Sequence, residues 1–258
     1  VRIIPAYGVT DRWSNRNELR EVRPSDPMTD GAKRGLEECE RFLNSGRRGM
    51  VGLHASFTCT DETLSAATDL ALRFGVGVHV HVAEGPDDKQ SAKRLIGRSN
   101  PQWMLVHCVE LEDELEGTIV HNPRSNMNNS VGYARPKRFK NAVVLGTDGI
   151  GADMFEEFRL AYVAGRADDI AFSPETAWSW LSTASHLVPE VENDTVRWNY
   201  DRMDSPWHVA FTPGTRAVDV SIAGTKIIND GEAVSFDLDE IRSKASEQAV
   251  RLHKKLAA

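Results

Sequence analysis

The sequence is short of cysteine, with three in 258 residues: Cys39, Cys59 and Cys108. Three scattered thiols do not make a disulfide framework, so a reducing compartment, the cytoplasm, is the expected setting. Positive charge is not in excess. Lys and Arg number 31 against 38 Asp and Glu, a formal net charge of −7. Phosphate binding wants a basic face, so neither a nucleic-acid partner nor a polybasic membrane-surface role is expected. No uninterrupted apolar run approaches the roughly 18–20 residues that a membrane helix needs. No Gly-rich phosphate loop follows a strand-like run: Gly46, Gly49 and Gly52 surround a strand start without forming GxGxxG. The chain also opens on Val1, with no Met and no signal pattern, inside what reads as a strand. It is therefore expected to be a fragment.

What the sequence does contain is an alternation of short β-rich runs and amphipathic stretches. The runs at about 1–7, 50–55, 76–83, 102–107, 117–122 and 142–147 read as strands, and those at about 27–44, 60–74, 87–97 and 153–166 as helices. Thr60 is a good N-cap with acid following in the first turn. Leu64, Ala67, Leu70, Ala71 and Phe74 recur at helical spacing, and Gly75 closes the helix. The Val- and His-rich run 76–83 reads as a parallel strand buried on both faces. Alternation of this kind implies βαβ units and a parallel sheet, either doubly wound and open or wound into a barrel. Polar residues at the strand ends (His54, His81 with Glu84, His107, Asp148) favour the barrel, whose active site lies on that rim. The fold expected is thus α/β of the (β/α)8 TIM-barrel type. Residues 1–186 would form a partial barrel, 187–215 an irregular linker, and 216–258 two short strands and a charged terminal helix.

The chemistry concentrates in five motifs. In His79-Val-His81-Val-Ala-Glu84 the two histidines share one face of a strand. His79 reads as a layer-filling core residue and His81, nearest the strand end, as a metal ligand; Glu84 sits over the same rim as a proton shuttle. His107 ends the adjacent strand and is assigned to the site, whereas Cys108 reads as a small buried hydrophobe. An apolar strand delivers Asp148 between glycines, as metal ligand and base; as an N-cap for the helix near Asp153 it would arrive five residues early. His54 and Asn126, the latter in His121-Asn-Pro-Arg-Ser-Asn126, are candidates for substrate contact, although the second motif is also compatible with a plain turn. His186, His208 and His253 stand without chemical company and read as structural or solvent-facing.

Taken in order, Gly-Leu-His54-Ala-Ser-Phe, His79-Val-His81-Val-Ala-Glu84, Val-His107-Cys, His121-Asn-Pro-Arg-Ser-Asn126 and Leu-Gly-Thr-Asp148-Gly resemble the amidohydrolase superfamily. Their order and spacing are similar to its cytosine/guanine deaminase and triazine-hydrolase (TRZ/ATZ) branch, nearest to the SsnA-type aminohydrolase/chlorohydrolase. The resemblance spans nearly the whole chain except 187–215. It implies one divalent ion, zinc before iron, held by His81 and Asp148, with Glu84 and His107 as catalytic groups. It also implies a small heterocyclic substrate, deaminated or dechlorinated, and it makes the tail strands part of a small β-sandwich. A homo-oligomer is compatible with it. One departure is large: the HxH metal pair of the family's first strand, and the sandwich half before it, have no counterpart here. Six βα units instead of eight leave an incomplete barrel with two open edges and about half the protein ligands of a metal site. The rival expectation is therefore a catalytically inactive truncated paralogue or fragment, acting at most as a binding or oligomerisation module.

Overall fold

The computed structural model describes residues 2–15, 18–19, 21–200 and 205–257. It divides into two compact units, 2–184 and 185–258.

In the first unit six strands form one parallel sheet: β1 (Ala6–Val9), β2 (Met50–Ala55), β3 (Val78–Val82), β4 (Met104–His107), β5 (Thr118–His121) and β6 (Val143–Leu145). Each strand pairs with the next in sequence, so the order along the sheet is the order along the chain. A doubly wound sheet reverses direction at a switch point; this one does not, and its winding is that of a barrel wall. Among the described residues β1 and β6 are its two edges.

Helices α1 (Asp30–Asn44) and α2 (Asp61–Phe74) connect β1 to β2 and β2 to β3. Both starts are held by one buried carboxylate. Asp11 Oδ1 accepts from the Thr29 N–H and hydroxyl at 2.8 and 3.0 Å, and Oδ2 from the Thr60 N–H at 2.8 Å. Thr29 and Thr60 are themselves the N-caps, and Gly75 ends α2 in the left-handed conformation. The helix expected at 87–97 is instead a short 3-10 turn, Ser91–Leu95. After β5 come α3 (Pro123–Asn128), α4 (Met154–Asp168) and α5 (Pro174–Ser182). Asp153, not Asp148, caps α4 by accepting from Phe155 N and Glu156 N.

Strand β3 corrects one expectation. Val78, Val80 and Val82 are fully buried, whereas His79 and His81 on the other face are only half-buried. The strand is covered by apolar packing on one side alone, and its histidine side is left for chemistry. Val78, Val80, Val82, Leu105 and Ile119 of neighbouring strands, with Trp103 and Phe158, make the core of this unit.

The second unit holds a four-stranded antiparallel sheet: β7 (Thr195–Trp198), β8 (Ala217–Ile222), β9 (Thr225–Asn229) and β10 (Glu232–Ala233), in the order β10-β9-β8-β7. The β8–β9 hairpin turns at Ala223-Gly224, both with positive φ, as a tight two-residue hairpin requires. The 187–215 stretch is less irregular than its Pro and Asp content suggests. It supplies β7, which pairs with β8, and the helical turn α6 (Pro206–Phe211). The terminal helix α7 (Leu238–Leu256) is capped by Asp237 and buries none of its residues. Among the described residues no helix is long and apolar enough to cross a membrane.

Candidate active site

The carboxyl ends of β2, β3, β4 and β6 bring His54, His81, Glu84, His107 and Asp148 together. His107 Nε2 lies 3.6 Å from Glu84 Oε2 and 3.8 Å from Asp148 Oδ2. The His81 and His107 ring centres are 5.3 Å apart, and those of His54 and His81 5.5 Å.

Backbone irregularity aims these groups. The register between β2 and β3 shifts between Leu53 and Ala55, a bulge that turns His54 out to solvent. Ala83, His107, Cys108 and Asp148 all have positive φ, between 45° and 70°. Left-handed backbone costs a non-glycine residue about 1–3 kcal/mol, and here it recurs at three strand ends that face one another. Gly146 allows the last strand end to come close. A Cβ there would lie 2.3 Å from Asn122 Oδ1 and 2.9 Å from Val120 Cγ1.

Hydrogen bonds fix which nitrogen of each imidazole is bare. His81 Nδ1 donates to the His54 carbonyl at 2.6 Å, leaving Nε2 as a lone-pair donor. The Thr58 hydroxyl donates to the Ala55 carbonyl at 3.0 Å and so accepts from His54 Nδ1 at 2.9 Å, which likewise leaves His54 Nε2 bare. His107 Nδ1 donates to Asn126 Oδ1 at 2.9 Å, which directs Nε2 at the two carboxylates. Three imidazoles from three strands thus present the same tautomer.

Electrostatics follow from burial and from these bonds. His107 is 1% exposed, and burial holds its imidazole below the ordinary range, against the opposing pull of Asn126 and Glu84. His54 and His79 are lowered by burial first and then by the neighbouring His81. Burial alone would raise the Asp148 carboxyl. Bonds from Ser125 Oγ at 2.5 Å and from the Gly149 N–H outweigh it and hold Asp148 below the usual carboxylate range. Glu84 Oε1 accepts from Asn129 Nδ2 at 3.2 Å.

Asn126, expected against substrate, is buried and spends its carbonyl on His107. His79 lies beside His81, ring centres 5.8 Å apart, one layer deeper in the sheet. Cys108 is fully buried, donates to the Leu105 carbonyl, and has its thiol pushed well up by burial.

Sequence reading missed the groups that hold the site. Ser125 and Asn129 stand on or beside α3, which the sequence presents as a possible turn. Arg124 of the same helix bonds Glu157 of α4, which is fully buried: Nε to Oε1 at 2.8 Å and the backbone N–H to Oε2 at 3.2 Å. Gly151, three residues after Asp148, packs directly on that guanidinium. The Arg12 guanidinium stacks over the Phe57 ring at 4.7 Å, beside His54. Pro123 at the first helical position was the one signal for α3 in the sequence.

Imidazole nitrogen and carboxylate oxygen are the donors that zinc and iron take. His81 Nε2 and Asp148 suit such an ion in donor type. In number they fall short: among the described residues no three His, Cys, Asp or Glu side chains are arranged to hold a metal.

The amidohydrolase family model matches residues 1–185. A 5'-deoxyadenosine deaminase of Methanocaldococcus jannaschii is 24% identical over 291 residues, covering 96% of this chain and 68% of the relative. A 5-methylthioadenosine/S-adenosylhomocysteine deaminase of Desulfitobacterium hafniense is 37% identical over 244 residues, covering 78% of this chain and 57% of the relative. Among solved structures, a zinc-bound adenosine deaminase from Xanthomonas campestris superposes with a TM-score of 0.74 at 17% identity, over 96% of this chain and 66% of the other. A mutant of the atrazine chlorohydrolase TrzN from Arthrobacter aurescens, complexed with zinc and atraton, gives 0.72 at 17%, over 94% and 64%. The chain therefore spans between about a half and two thirds of the length of these proteins. With its first 185 residues matched and a parallel sheet whose strand ends gather histidines and carboxylates, the chain belongs to the amidohydrolase family.

Proposed function

We propose that this chain carries the catalytic face of a metal-dependent hydrolase that deaminates an aminated heterocycle at a non-peptide carbon–nitrogen bond. The observation that carries the reading is the meeting of His107 Nε2 with Glu84 and Asp148, 3.6 and 3.8 Å away, beside the bare Nε2 of His81. The relatives named as deaminases of adenosine derivatives make 5'-substituted adenosines the first substrates to assay.

His81 and Asp148 would hold a divalent ion, zinc before iron, and that ion when bound lowers the pKa of water toward about 7. Asp148, kept ionised by Ser125 and Gly149, accepts a proton from the attacking water. Glu84 carries a proton to the ring nitrogen next to the attacked carbon. His107, neutral and fixed by Asn126, orients the incoming oxygen. The water oxygen bonds to the carbon, the carbon–nitrogen bond breaks, the amino group leaves as ammonia with the proton held by Asp148, and the hydroxyl proton of the adduct returns to Glu84 as the ring carbonyl forms. His54 stands at the accessible rim with a free Nε2, placed to contact substrate. The three buried free thiols suit a reducing setting, and we place the protein in the cytoplasm.

The test is the conversion of 5'-deoxyadenosine and 5-methylthioadenosine to their oxopurines by the zinc-loaded chain, followed by ultraviolet absorbance. Glu84→Gln is expected to keep zinc and lose most turnover, by 10²-fold or more, whereas His81→Ala is expected to lose zinc. Normal turnover in Glu84→Gln would sink the shuttle assignment. A second reading has its own observation. Because no three side chains among the described residues form a ligand set, a catalytically inactive chain, serving as a binding or oligomerisation module, accounts for the same fold. Absence of both zinc and turnover in the wild-type chain would favour it.

A further inference from the structure

His121 ends β5 one residue before the short helix α3 begins, yet it takes no part in the site above. Its side chain is fully buried, and neither Nδ1 nor Nε2 has a hydrogen-bond partner. A neutral imidazole offers one donor and one acceptor, and leaving both unmade in an apolar setting costs roughly 1–3 kcal/mol for each group. Such a group in a folded protein calls for an account.

Next to the ring lies a cavity of about 400 Å³, lined by His121, Pro123, Met127, Tyr133, Ala164 and Ala167. Tyr133 meets the imidazole edge-on at 5.6 Å between ring centres, and Trp180 of α5 does so at 6.0 Å. The other polar side chains at the cavity are Tyr133, through its hydroxyl, and Asp168, whose carboxylate is already taken by Arg135 at 2.7 Å. The volume falls in the range of pockets for small organic molecules. The walls are otherwise apolar, their polar groups being the His121 ring, the Tyr133 hydroxyl and Asp168. They are the right chemistry for a flat apolar body carrying a single hydroxyl.

We propose that this cavity is a binding site for a small neutral aromatic molecule of the phenol class, whose hydroxyl bonds to His121 and whose ring packs against Tyr133 and Met127. The site is distinct from the catalytic rim and is joined to it by one element. Pro123 and Met127 of α3 line the cavity, while Ser125 and Asn126 of the same helix bond Asp148 and His107. Met127 and Ala167 of the wall are exposed whereas the His121 ring is covered, so reaching the ring requires a wall residue to move. Met127, half-exposed and unbranched, is the side chain able to do so.

The experiment titrates phenol, and separately benzene, into the intact chain labelled with ¹⁵N-histidine and follows the imidazole nitrogens by NMR. It needs no catalysis, so its outcome is independent of the hydrolase reading. Phenol is expected to shift the His121 nitrogens saturably, and benzene to bind about tenfold more weakly for want of the hydrogen bond. Ala164→Leu, which fills the cavity, should abolish the phenol response, and His121→Phe should erase the preference for phenol over benzene. Should His121→Phe not fold, Ala164→Leu still decides. No saturable shift with phenol, an unchanged response in Ala164→Leu, or a long-lived water on His121 that phenol does not displace would each overturn the proposal.

Discussion

At the scale of single residues, the site depends on groups that bond its carboxylates and imidazoles from behind. Ser125 Oγ is 2.5 Å from Asp148 Oδ2, and with the Gly149 N–H it fixes the carboxylate and keeps it ionised. Groups that orient a ligand in this way are typically worth 10–100-fold in metal affinity. Ser125→Ala is therefore expected to weaken zinc binding by about that factor while leaving the circular dichroism unchanged; affinity equal to wild type would show Asp148 to be self-supporting. His121 makes a prediction of a different kind. Burial depresses its pKa to about 3 from the ordinary 6.5. A group whose folded pKa is lowered takes up protons more readily when unfolded, so its stabilisation is complete above about 6.5 and is lost as pH falls from there toward 3. The slope in that window is about 1.4 kcal/mol per pH unit. Urea denaturation of wild type and His121→Phe at pH 7, 6, 5 and 4 should show a shallower loss in the variant. Parallel curves would mean that His121 takes up its proton as readily in the folded protein as in the unfolded chain.

At the scale of elements, α3 is the piece on which the site turns. Six residues long, it is too short to be stable by itself, and helices of that length hold only through tertiary contacts. Its anchor is the Arg124–Glu157 pair to α4. Removing the cation alone leaves a fully buried carboxylate without charge compensation, which costs roughly 3–5 kcal/mol, whereas replacing both partners with apolar residues costs far less. Arg124→Leu should thus destabilise by about that amount in urea unfolding, and Arg124→Leu combined with Glu157→Leu should recover most of it. Additive losses in the double variant would contradict this. The same helix shows where the sequence stops being legible. Strands β2 to β6 are readable because β-branched runs are bounded by breakers, and α2 because Thr60 and Gly75 mark both ends. His81, Glu84, His107 and Asp148 are readable because a strand delivers its last residues to one rim. Left-handed backbone at Ala83, His107 and Asp148, and the bulge at His54, arise from contacts between strands and leave no local signature. The Arg124–Glu157 pair joins residues 33 apart and is equally silent. The strand at Thr195–Trp198 is masked by the Pro and Asp residues around it, and its partner lies across the intervening α6.

At the scale of the whole molecule, the first unit presents a wall of six strands in chain order, with the chemistry on one rim. Its edges β1 and β6 carry backbone groups without a strand partner among the described residues, an arrangement prone to pairing with other chains. The family match, the strand order and the tautomers of His54, His81 and His107 are the grounds on which we propose a metal-assisted hydrolytic rim to which this chain contributes His81 and Asp148. Zinc binding by isothermal titration, on wild type and on His81→Ala, Asp148→Ala and Glu84→Gln, tests that claim most directly. One zinc per wild-type chain is expected, with affinity at least tenfold lower in His81→Ala and in Asp148→Ala and nearly unchanged in Glu84→Gln. No zinc binding by the wild type, or binding indifferent to the loss of both His81 and Asp148, would contradict it.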